Sequence, residues 1–151
     1  MARRMIVKIG EDILRKRAKE VVDFDDNLGR LLDDMKETMV HADGVGLAGP
    51  QVGILKRVAV ISPDGKHFYE FVNPVIVSAS GSQLCREGCL SVPGINGEVV
   101  RPKKIEVHAC DRHGRKFILK AEDFLANICC HEFDHLDGIL FVDKMIKKEN
   151  V

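Results

Sequence analysis

H-E-F-D-H, residues 131–135, closes a segment that begins D-F-L-A-N-I-C-C at Asp123. Phe124, Ile128, His131 and His135 fall at i, i+4, i+7 and i+11, so the two histidines continue the apolar face of one helix. Residues four apart on a helix are neighbours, so both imidazoles can reach one ion. Glu132 stands beside them, placed to meet a metal-held water without being a ligand. The plainer reading is two core histidines hydrogen-bonded to nearby backbone, and the third ligand decides between the two. In one large class of H-E-x-x-H proteases the pattern runs on to a glycine and then a third histidine. Gly138 occupies the glycine position, but Phe141 stands where the histidine is needed. Asp137 and Asp143 lack the spacing of a second-helix carboxylate, and little chain remains for a second helical domain. The third ligand is therefore expected upstream. Cys89, in E-G-C-L-S (87–91), is the best candidate: Gly88 admits close backbone approach, and Pro93-Gly94 is expected to turn the chain away. A buried free thiol is the commoner fate of a cysteine. Beside a two-histidine site that lacks a ligand, a thiolate completes three protein donors and leaves a position open for water.

Working outward, 11–20 reads as a short helix or an extended arm. Asp25 or Asp26 caps a helix whose stripe is Leu28, Leu31, Leu32, Met35 and Met39, expected to end near Asp43-Gly44. G-V-G-L-A-G-P-Q-V-G (44–53) is too rich in glycine for a helix interior and is expected to be a loop. It is not a phosphate loop, because it lacks the G-K-[ST] ending. Residues 57–62 and 67–72 are strand-like, joined by a Pro63-Asp64-Gly65 turn. K-I-E-V-H-A-C (104–110) alternates, with Ile105, Val107 and Ala109 on one face. With 115–120 it makes a hairpin, after which the period becomes helical at Glu122. Helix, antiparallel strands and helix in that order predict an α+β fold.

The chain has 151 residues, the size of a single domain, and is 45% hydrophobic. Lys plus Arg and Asp plus Glu each number 23, so no broad electrostatic grip on nucleic acid or on an anionic membrane is expected. M-A-R-R-M-I-V-K is expected to be a strand or arm rather than a signal or transit peptide. No run approaches the roughly 18 apolar residues of a membrane span, so the expected location is the cytoplasm. Five cysteines, an odd number without a secretion signal, argue against a disulfide framework.

Three stretches together, G-V-G-L-A-G-P-Q (44–51), E-G-C-L-S (87–91) and H-E-F-D-H (131–135), resemble the signature motifs of peptide deformylase in order and spacing. The likeness runs from L-R-K (14–16) to beyond His135. Gly49 departs from it, since alanine is commoner there in the family, and a slightly looser loop is the expected consequence. The resemblance implies antiparallel sheets packed around a C-terminal metal-binding helix, with an N-terminal amphipathic helix. It implies an amide hydrolase that removes the formyl group from N-formylmethionyl nascent peptides and releases formate. It makes Cys89, His131 and His135 the ligands of one divalent ion per chain, Fe²⁺ in the cell with Zn²⁺ or Ni²⁺ accepted. Metal-activated hydroxide would then attack the formyl carbon, with Glu132 as general base and then acid. Gln51 and the Leu90 N–H would polarise the carbonyl.

By the same resemblance, Val45, Gly46 and Gly88 pair with the peptide main chain as an added strand, and transient ribosome association follows from the role. Val45, Leu125 and Ile128 are candidates for the methionine pocket, with Cys129 a weaker one. Glu87 is expected to orient a ligand or to pair with Arg101. Arg101 itself is expected either to face the peptide or, the favoured reading, to form a surface ion pair. Cys85, Cys110 and Cys130 are read as structural. His41, His67, His108 and His113 are read as solvated or loop residues, and K-K-E-N-V (147–151) as a solvated tail. Two rivals stand beside this: a metalloprotease of the H-E-x-x-H type, and a non-catalytic homologue that binds peptide N-termini or the ribosome.

Overall fold

The computed structural model describes residues 2–146, and the 147–151 tail lies outside them. Seven strands form in the order β1 Gly46–Ala48, β2 Val58–Ile61, β3 Tyr69–Ser80, β4 Gln83–Cys89, β5 Val92–Arg101, β6 Lys104–Cys110 and β7 Lys116–Glu122. Three helices accompany them: α1 Asp26–His41, α2 Asp123–His135 and the short α3 Phe141–Lys144. The larger sheet is antiparallel in the order β1-β2-β3-β6-β7, while β4 and β5 form a separate hairpin. Helix α2 touches strands of the larger sheet and β5 of the hairpin, so it lies between the two sheets. The architecture is α+β, as the order of periodicities requires.

The reason lies in β2. Val58, Ala59, Val60 and Ile61 are all fully buried. Alternate residues point to opposite faces of a strand, so the larger sheet is covered on both sides. Ala59 and Ile61 pack with Ile128, Cys129 and Phe133 of α2. Val58 and Val60 pack with Leu28, Leu32, Met35 and Met39 of α1. A third cluster joins Leu14, Val92, Val99, Leu140 and Phe141 beneath the hairpin.

Local chemistry sets the ends of α1. Asp25 caps it by accepting the Leu28 N–H at 3.0 Å, and the helix ends at His41, with Asp43 just beyond at φ 57°. Residues 11–20 combine both expectations, a 3-10 turn over Asp12–Arg15 followed by extended chain. The glycine-rich stretch is more ordered than a loop: it holds β1 and then a 3-10 turn over Gly49–Val52. The long second half of β3 and the β4–β5 hairpin carry no clean alternation in the sequence. Pro93-Gly94 does not end the hairpin strand. The turn falls at Leu90-Ser91, and Pro93-Gly94 lies within β5, where the register shifts.

Gly138 has a structural purpose that the protease pattern does not suggest. Its φ is 75°, and a Cβ there would drive into the Arg15 backbone carbonyl. The left-handed conformation alone costs a residue with a Cβ about 1–2 kcal/mol. Gly138→Ala should therefore lower Tm by at least about 2–4 °C in a thermal melt. An unchanged Tm would mean that this segment is not held against Arg15.

Candidate metal centre

Helix periodicity brings His131 and His135 to one side of α2, with ring centroids 5.2 Å apart. The β4–β5 turn brings Cys89 to them across 46 residues of sequence, its Sγ 3.4 Å from His135 Nε2. One donor atom from each of Cys89, His131 and His135 lies within 4.8 Å of the other two. Bond lengths of about 2.0–2.3 Å to a first-row ion place two of its donors roughly 3.3–3.8 Å apart. The Cys89–His135 spacing already has that value, so the residues fit a small divalent ion. One thiolate and two imidazoles also form a donor set that such ions accept.

The ring of His131 is oriented from behind. Its Nδ1 lies 2.7 Å from Glu87 Oε1. Glu87 is buried, and burial pushes its carboxyl up, but hydrogen bonds from Arg101 and His131 outweigh this and hold it at about 2. An ionised carboxylate only accepts, so Nδ1 carries the proton and the Nε2 lone pair is free for a metal. Arg101 grips both Glu87 oxygens at 2.8 Å and also donates to Asp134 at 2.7 Å. Arg101 is therefore not a surface residue: it is 3% exposed, the central cation of a buried network. Lys144 closes the far side of that network on Asp134 at 3.0 Å. Phe141 stacks on the His131 ring at 5.9 Å. The position that fails as a histidine thus serves as packing for a ligand.

The surroundings of the two histidines push their pKa values apart. Burial works against a charge on His131, but Glu132, Cys89 and Glu87 outweigh it and raise its pKa. Burial and the neighbouring His131 charge lower that of His135. Burial also raises Glu132, to about 7, where a carboxyl exchanges protons readily at neutral pH. Glu132 Oε1 is buried without a hydrogen-bond partner, and Oε2 lies 3.8 Å from His131 Nε2. The room for this carboxylate exists because residue 46 is glycine: a Cβ there would sit 2.5 Å from Glu132 Oε2.

Gln51 is buried on the 3-10 turn after β1. Its Oε1 accepts the Ala48 N–H at 2.9 Å, and its Nε2 donates to Ser91 Oγ at 3.1 Å and Cys89 Sγ at 3.5 Å. The N-terminal arm ties both loops down: the Val7 N–H donates to Gln51 O and the Ile9 N–H to Ser91 O, each at 2.7 Å. Gly49 does not loosen this loop. The 54–56 backbone closes onto it, so a Cβ would lie 2.6 Å from Lys56 O.

A cleft of about 370 Å³ opens over the site. Val45, Gly46, Gln51, Gly88, Cys89, Leu90, Ile128, His131 and Glu132 all line it, as the sequence reading requires of them. His135 lies fully buried beneath. Leu125 instead packs against the core between α2 and the sheet, and Cys129 is buried in that core. Phe124, placed on the buried face by its spacing, is half exposed at the cleft. Asn127, Arg86 and Asp43 also line the cleft and carry no motif that would have singled them out. All five cysteines are free. Burial raises the thiols of Cys85, Cys129 and Cys130, consistent with structural roles. His41, His67, His108 and His113 are exposed.

The polypeptide deformylase family model matches residues 3–151. The peptide deformylase of Caldicellulosiruptor bescii is 56% identical over 147 residues, covering 97% of this chain and 88% of its own. That of Acetivibrio thermocellus is 52% identical, covering 97% and 86%. The crystal structure of the Thermotoga maritima peptide deformylase superposes with a TM-score of 0.94 at 40% identity, over 97% of this chain and all of that one. That of Synechococcus elongatus, in complex with actinonin, superposes at 0.91 and 40% identity, over 95% and 80%. The family match along almost the whole chain, together with these relatives, shows that the chain belongs to the polypeptide deformylase family.

Proposed function

We propose how this chain carries out the activity of its family, the hydrolytic removal of the N-formyl group from nascent peptides. Residues 1–151 act as one catalytic domain. The observation that carries the reading is the convergence of Cys89, His131 and His135 with an unpartnered Glu132 oxygen in the same buried site. Cys89, His131 and His135 hold one divalent ion, Fe²⁺ in the cell, with Zn²⁺ or Ni²⁺ able to replace it. When bound, such an ion acidifies water and polarises a carbonyl.

The chain's own groups do the rest. Glu132 takes a proton from the attacking water as general base and returns it to the leaving amine. The Gln51 amide and the Leu90 N–H stabilise the charge that develops on the formyl oxygen. Glu87 keeps the His131 lone pair aimed inward. The outer edges of β1 and β4 are unpaired within their sheets and border the same cleft. A peptide laid between Val45-Gly46 and Gly88 adds a strand to them, and Ile128 and Val45 contact the methionine side chain. The role implies transient ribosome contact and a cytoplasmic location. Among the described residues no helix is long and apolar enough to cross a membrane.

The test is formate release from formyl-Met-Ala-Ser by anaerobically purified protein, with metal measured on the same sample and casein as a parallel substrate. Formate with about one metal per chain supports the reading. A full metal complement with casein cleavage and no formate would defeat it. Gln51→Ala should lower kcat by about 10²–10³, the effect of losing one such donor, with metal content kept. A loss confined to KM would instead make Gln51 a loop-holding residue.

A further inference from the structure

Two charged side chains on the cleft have no part in the chemistry. Arg86 lies on β4 and Asp43 just before β1, both exposed and both lining the cleft. Neither side chain has an ion-pair or hydrogen-bond partner among the described residues, whereas Glu87, a carboxylate of the same cleft, is fully engaged. Arg86 is three residues before the ligand Cys89 on β4, and three residues of extended chain span about 10 Å. Asp43 lies in the turn that leads into β1 and lines the same cleft. A peptide whose formyl end is at the metal and whose main chain runs back along β4 therefore carries its third residue to Arg86, in the cleft that Asp43 also borders.

We propose that Arg86 and Asp43 are specificity-determining residues for the side chain at the third position, Arg86 favouring an acidic one and Asp43 a basic one. This rests on the deformylase reading of the cleft. The two lips form a two-signed gate: a charged third residue of either sign finds an opposite charge, and neutralising one lip disfavours one sign only. An apolar edge would give no such crossover, because main-chain pairing is indifferent to side-chain charge.

The experiment compares kcat/KM for formyl-Met-Ala-Glu-amide and formyl-Met-Ala-Lys-amide in the wild type, Arg86→Gln and Asp43→Asn. The amide caps remove the terminal carboxylate. Asparagine tolerates the left-handed backbone at position 43. The Glu/Lys ratio should fall about threefold in Arg86→Gln and rise about threefold in Asp43→Asn, the scale of an exposed ion pair. Both shifts should shrink in 0.5 M salt, where the Debye length is below about 5 Å. Binding of the same peptides to the Glu132→Gln protein, read by calorimetry, reports the same ratios independently of turnover. Ratios unchanged in both variants, or moving together, overturn the proposal. Charge-selective binding without formate from any peptide would sustain the gate and overturn the deformylase reading.

Discussion

Glu132→Gln protein should keep about one metal per chain and lose about 10²–10⁴ in kcat, the range that a positioned proton-transfer group contributes. The substitution preserves the shape of the side chain, and so its fit against Gly46. It removes only the ability to take up and release a proton. Glu132 is 3% exposed, so bulk water cannot readily substitute for it, and its unpartnered Oε1 makes no structural hydrogen bond. KM should change little, because the peptide is held by strand edges and the methionine pocket. Stopped-flow or coupled formate assays on metal-quantified protein decide the matter. Full turnover in the metal-loaded variant would remove Glu132 from the proton path.

Arg101→Leu should be the most destabilising single change near the site. Arg101 neutralises Glu87 from one side and reaches Asp134 on the other, with its own side chain 2% exposed. Its loss leaves Glu87, at 4% side-chain exposure, with His131 alone as partner. Removing one member of a buried ion pair typically costs about 3–5 kcal/mol, roughly 6–20 °C in Tm for a chain of this length. Asp134 keeps Lys144, so the uncompensated charge is that of Glu87. Glu87 also fixes the His131 tautomer, so metal affinity should drop about 10–100-fold. Thermal melts in chelator and in excess metal separate the two effects: the chelator melt reports the broken ion pair, and the metal-dependent increment reports ligand orientation. A Tm within about 2 °C of wild type in chelator would show the network to be dispensable.

The error about Arg101 shows where sequence reasoning runs out. An arginine reads as solvated, because charged residues are almost never buried unless paired. The pairing that reverses this comes from Glu87 across the β4–β5 hairpin and Asp134 on α2, separated from it by 14 and 33 residues. Leu125 failed for a related reason. It neighbours Ile128 along one side of α2, but the helix has two neighbours, a sheet and a cleft, and only the docking angle assigns each residue to one of them. The hairpin itself was not legible: β4 and β5 carry three glycines and a proline, which read as turn. Yet this hairpin supplies Cys89, Gly88 and Arg86.

What the sequence alone determined is what local periodicity reaches. The stripe of α1, the alternation of β6 and the approach of His131 to His135 each depend on a repeat of 3.6 or 2 residues, and all three hold in the structure. The identity of the family was also legible, because three motifs are fixed by type and order. The tertiary structure alone decided how those motifs meet. The register of the β4–β5 hairpin sets Cys89 beside His135, and the missing Cβ of Gly46 lets Glu132 lie against β1. Burial from two sides then turns Arg101 from a surface charge into the support of a ligand. Such contacts join residues tens of positions apart, and their geometry is fixed by how sheet, hairpin and helix pack, which no local repeat encodes.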